Sequence, residues 1–157
     1  MSGLFDSKTD AEQVSTFFKA QATDKYFIVT GANVGLGKET VRCLAKEGAH
    51  VVLCSRSTKN GEEAAAEIRA MHPAVEMNIT VMSIDLGDLV SVKAFSEAYL
   101  ATKKPLHCLI NNAGIMACPK SLTTQGFESQ FGVNHLGSQN YNNRTFLPGK
   151  PIIASST

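Results

Sequence analysis

Four short, mostly apolar runs lie at residues 26–30, 51–54, 79–84 and 106–110, separated by longer stretches with apolar residues at helical spacing. No other feature limits the fold so sharply. Runs such as Val51-Val52-Leu53-Cys54 do not alternate with polar residues, as a strand buried on one face would. Both faces of each strand must therefore be covered. The intervening segments set Val41, Leu44 and Ala45, then Ala64, Ala65 and Ile68, then Val92, Phe95 and Tyr99 on single helical faces. Helices are predicted over 35–48, 61–71 and 89–103, with Lys103, Lys104 and Pro105 closing the last. Strand–helix alternation of this kind places helices on both sides of a parallel sheet. The expected class is α/β, a Rossmann-type doubly wound sheet of about five strands in the order 3-2-1-4-5.

The remaining stretches divide the chain. Residues 1–22 are expected to form a helical extension, and residues 23–157 the sheet domain. The tail at 138–157 begins with Ser138-Gln139-Asn140-Tyr141-Asn142-Asn143-Arg144, which is polar on every face, and ends in a candidate fifth strand near Ile152. A net charge of +1 gives no overall field for nucleic acid or a membrane surface, so neither is expected as a partner. Any cation that matters must act locally. Residues 1–20 carry acids and no apolar run long enough for a signal or a span, so no membrane segment and a cytoplasmic location are expected. The four cysteines show no Cys-x-x-Cys pairing and read as free, mostly buried thiols. No metal site is expected.

The run Thr30-Gly31-Ala32-Asn33-Val34-Gly35-Leu36-Gly37 joins the first strand to the first helix. In that position Gly31 permits a tight turn, Gly35 lets a pyrophosphate reach the backbone, and Gly37 lets the helix pack closely on the sheet. Free N–H groups at the helix start then face the phosphates, with Asn33, Val34 and Leu36 lining the turn. After the second strand, an NAD site would carry an acid for the ribose 2′-hydroxyl. This chain has Cys54-Ser55-Arg56-Ser57 there. Arg56 can pair with a 2′-phosphate through parallel hydrogen bonds, and Ser55 and Ser57 offer hydroxyls; the expected cofactor is NADP(H). The bland alternative leaves Arg56 a solvated loop charge.

Asp85, after the third strand, either accepts from an adenine amino group or caps a turn. Asn111 and Asn112, after the fourth, either reach a ribose or tie neighbouring strands, while Ala113 and Gly114 leave room for a ligand.

These motifs, with Asp85-Leu86, Asn111-Asn112-Ala113-Gly114 and Val133-Asn134-His135-Leu136-Gly137 in order, resemble those of the short-chain dehydrogenase/reductase family over roughly residues 24–137. The wording is similar to the retinol dehydrogenase-like branch. That resemblance implies NADP(H)-dependent oxidation or reduction of a hydrophobic alcohol or carbonyl, with a homo-oligomer possible in the parent protein. It also implies catalytic roles for Asn134, which would hold a water of the proton relay, and for Ser156, which would steady the substrate oxygen.

The family's acid/base pair is a Tyr four residues before a Lys. The single match, Tyr99 and Lys103, precedes Asn111, whereas the family's pair follows that segment. Packing and helix-end charge explain both residues without catalysis. The chain is therefore expected to represent the cofactor-binding half of such an enzyme, truncated or divergent after about residue 137, with a catalytically inactive NADP(H)-binding fragment as the alternative.

Overall fold

The computed structural model describes residues 5–140 and the backbone of 152–155. Two short helices, α1 (Ala11–Phe17) and α2 (Lys19–Ala22), lead into β1 (Tyr26–Val29), α3 (Gly35–Lys46), β2 (His50–Ser55), α4 (Thr58–Met71), β3 (Ile79–Ser83), α5 (Leu89–Ala101) and β4 (Cys108–Asn111). A single turn, α6 (Ser129–Phe131), runs into a π-helix at Gly132–Gly137, and β5 (Ile152–Ser155) follows. The strands form one parallel sheet in the order β3-β2-β1-β4-β5, the order expected. The rest of the tail, with Ser156, lies outside the described residues.

Successive residues of a strand point to opposite faces, and here both faces are apolar. On one, Val29, Val51, Leu53 and Ile79 pack with Val41 and Ala45 of α3 and Ala64, Ala65 and Ile68 of α4. On the other, Ile28, Val52, Cys54 and Leu109 meet Val92, Phe95 and Tyr99 of α5. Tyr99 is buried, and its hydroxyl donates to the Pro105 carbonyl at 2.9 Å. Burial pushes that phenol up to about 12. The one Tyr-x-x-x-Lys match is thus a core residue at a helix end.

Element edges differ from the sequence expectation where a polar residue decides them. Helix α4 begins at Thr58 rather than Gly61, because the Ser57 side chain accepts from the Asn60 N–H and caps the helix there. Strand β4 extends to Asn111, and α5 ends at Ala101. Cys43 and Cys54 are buried, Cys108 and Cys118 partly so, and all four are free.

The extension is fastened to α3 by charge. Helix α1 buries no residue. Glu12 pairs with Lys46 and, at 2.9 Å, with Arg42, which also grips Glu39. Thr16 donates to the buried Glu47 carboxylate at 2.9 Å, beside Lys19.

Candidate functional site: a crevice at the switch point of the sheet

From β1 the chain winds outward through β2 to β3, then crosses back to β4 on the other side of β1. Loops leaving β1 and β4 therefore part in opposite directions and open a crevice above the carboxyl ends of the strands. The crevice has a volume of about 420 Å³ and is lined by the glycine turn, by Ser55 and Arg56, by Ile84–Leu86, and by Asn112–Ile115 with Val133.

The turn after β1 is built around two left-handed glycines, Gly31 at φ +62° and Gly35 at φ +57°. A side chain at Gly31 would stand 2.8 Å from the Ala113 backbone, whereas one at Gly35 would meet nothing within 4 Å. Gly31 is thus demanded by packing, while Gly35 leaves open space at the start of α3. Val34 precedes that helix and makes no side-chain cap, so the orphan N–H groups of the first turn of α3 lie at the border of the crevice with no cap from that side chain. Asn33, Val34, Leu36 and Gly37 all line it.

Of the two roles open to the asparagines, Asn112 makes the tie. Asn112 Nδ2 donates to the carbonyls of Thr30 at 2.9 Å and Gly31 at 3.2 Å, and the Ala113 N–H donates to Thr30 Oγ1 at 3.1 Å. Asn111 is buried in the sheet and does not line the crevice. Asp85 lines it, yet its Oδ1 accepts from the Gly87 N–H at 2.8 Å and closes a turn. Leu86, beside it, is mostly core.

Ser55 is buried, and its hydroxyl donates to the Ser57 carbonyl at 2.6 Å rather than into the crevice. Arg56 is exposed on the rim. Among the described residues, no carboxylate lies within ion-pair distance of its guanidinium. Asn134 sits in the π-helix, and both ends of its amide are occupied: Oδ1 accepts from the Ile115 N–H at 2.9 Å, and Nδ2 donates to the Ile115 carbonyl at 2.8 Å. Its side chain fastens the segment after β4 to the π-helix. Gly137 lets that helix cross Leu86, whose carbonyl oxygen a Cβ would overlap. The sequence carried no signal for Thr30 as a hub, because its partners lie some 80 residues away.

Among the described residues no group of His, Cys, Asp and Glu could hold a metal, and no helix is long and apolar enough to cross a membrane.

Together these features define a dinucleotide-type α/β domain whose ligand crevice lies at the topological switch. Residues 25–147 match the short chain dehydrogenase family, and the chain belongs to it. It is 52% identical to retinol dehydrogenase 12 of Mus musculus over 117 residues, which cover 74% of this chain and 36% of that protein. The chain therefore spans about a third of the length of the retinol dehydrogenases it matches. Among solved structures, it is similar to the citronellol catabolism dehydrogenase of Pseudomonas aeruginosa, with 28% identity, a TM-score of 0.70, and coverage of 85% and 56% of the two chains. It is also similar to an alcohol dehydrogenase from the archaeon Thermococcus sibiricus complexed with 5-hydroxy-NADP, with 27% identity, a TM-score of 0.63, and coverage of 77% and 51%.

Proposed function

We propose that the crevice binds NADP(H), and that the chain supplies the cofactor-holding part of an oxidoreductase acting on a hydrophobic carbonyl or alcohol. One observation carries the reading: the uncapped start of α3, with open space at Gly35, borders the same crevice as Arg56, which has no carboxylate within ion-pair distance among the described residues. Main-chain N–H groups of α3 would hold the diphosphate, aided by the positive end of the helix. The Arg56 guanidinium would hold the 2′-phosphate in a charge-assisted pair, which an acid at that position would repel. Asp85, one oxygen of which closes its own turn, would offer the other to the adenine amino group. Ala113 and Gly114 keep the wall of the crevice low between Asn112 and Ile115. The bound nicotinamide would give or accept the hydride, and the chain would orient it. The likeness to retinol dehydrogenases supports the hydrophobic substrate class.

A second reading, NADP(H) binding without turnover, is favoured by Tyr99, whose hydroxyl is committed to Pro105 in the core beneath α5. Calorimetric titration of the 157-residue chain with NADP⁺ and NAD⁺ tests the binding step. NADP⁺ should bind more tightly, and Arg56→Ala should weaken it roughly ten- to a hundredfold while changing NAD⁺ little. Equal binding of the two nucleotides, or no binding, overturns the cofactor reading. NADPH-dependent reduction of a hydrophobic aldehyde then separates the two readings, since turnover by this chain would overturn the second.

A further inference from the structure

Arg56 selects a phosphate only if its backbone is fixed, because a long side chain on a loose turn spreads its charge over several positions. The turn that carries it is held at three consecutive carbonyls. The Ser55 carbonyl accepts from the Ile84 N–H at 3.0 Å, continuing the β2–β3 ladder. The Arg56 carbonyl accepts from Ser83 Oγ at 3.1 Å. The Ser57 carbonyl accepts from Ser55 Oγ at 2.6 Å and from the Gly61 N–H at 3.0 Å.

Ser55 and Ser83 are cross-strand partners, the last pair of the β2–β3 register. From that shared rung one hydroxyl clasps the carbonyl of residue 56 and the other that of residue 57. The Arg56 side chain is then the free part of an otherwise pinned turn. Ser83 is exposed and does not line the crevice, so no contact with the ligand explains it.

Resting on the NADP(H) reading above, we propose that Ser83, with Ser55, is a positioning residue for Arg56. The pair fixes the backbone from which the guanidinium meets a 2′-phosphate, and so sets the preference for 2′-phosphorylated over unphosphorylated nicotinamide nucleotides. Ser83 acts through the Arg56 carbonyl alone. Its removal therefore reaches one part of the nucleotide and leaves the diphosphate cradle at α3 intact.

The test is calorimetric titration of the wild-type chain, Ser83→Ala and Ser83→Thr with NADP⁺ and with NAD⁺. Ser83→Ala should weaken NADP⁺ binding roughly three- to tenfold, the range for losing one hydrogen bond. NAD⁺ affinity should hold within about twofold. Ser83→Thr keeps the hydroxyl, suits an exposed strand position, and should restore the preference. A merely structural role would lower both affinities together, and that outcome overturns the proposal. An unchanged preference in Ser83→Ala overturns it as well, while leaving the role of Arg56 standing. Absence of a preference in the wild-type chain sinks the reading of Arg56 itself, and this proposal with it.

Discussion

Gly37 lies against the side chain of Asn112: a Cβ at position 37 would overlap Asn112 Nδ2 and stand 2.7 Å from the Gly31 carbonyl oxygen. The first turn of α3 and the end of β4 are thereby pressed together at the mouth of the crevice.

Two effects compete at that position. Gly37→Ala would gain about 1 kcal/mol of helix propensity. Overpacking against the Gly31–Ala32 backbone and the Asn112 amide costs about 1–3 kcal/mol, and that main chain cannot swing away. The clash should win, lowering the urea midpoint and the affinity for nucleotide together. A stabilised variant would mean that the contact relaxes freely. Gly35→Ala should differ: its left-handed backbone costs about 1–2 kcal/mol, but no atom is struck, so the chain should fold and lose nucleotide affinity instead.

Asn112→Ala should cost about 1–3 kcal/mol of stability, because it strips the donor from two carbonyls, one of them on the fully buried Thr30. Equilibrium denaturation gives the value directly. A change below about 0.5 kcal/mol would show that water replaces the amide without loss.

The charged fastening of α1 makes the extension sensitive to acid. Hydrogen bonds from Lys46 and then Arg42 hold the Glu12 carboxyl below its ordinary value of 4.5, and the hydrogen bond from Arg42 does the same for Glu39. A carboxylate with a lowered folded pKa contributes stability above the ordinary value and loses it as pH falls through the lower one. Amide protection in α1 should therefore be present at pH 7 and fade below pH 4.5, with salt weakening it at pH 7 while the carboxylates are charged. Hydrogen exchange corrected for intrinsic rate measures this, and Glu12→Gln should flatten the profile. Protection that persists to pH 3 would show that α1 is held by packing.

What the sequence revealed follows from the range of the forces involved. The strands and the three long helices were legible because burial on two faces and helical periodicity are local patterns, and the strand order came with the Rossmann-type class. The glycine turn was legible because backbone conformation and phosphate approach are properties of a few adjacent residues. Asn112 was visible as a site residue, but its partner Thr30 was not: the expected order sets β1 beside β4, yet which atoms of the two loops meet depends on their path beyond the strand ends. Ser83 left no trace, because its meaning comes from standing opposite Ser55 in a register that only the folded sheet defines. Asn134 was placed by its motif, yet the side chain turns to the Ile115 peptide. The π-helix that directs it has no periodicity signal of its own.

Ile28 and Val29 are adjacent in the chain and serve opposite oily layers. Slide β1 along by one residue and each would still find grease, so hydrophobicity alone cannot tell this strand which way up to sit. In a sheet with one wet side, alternation would reject such a slip. Here the indexing falls to the polar fittings at the strand tips, where Thr30 and Asn112 click into place only in the correct frame. Damage at those two residues threatens misthreading of the sheet, over and above a weaker grip on whatever the crevice holds.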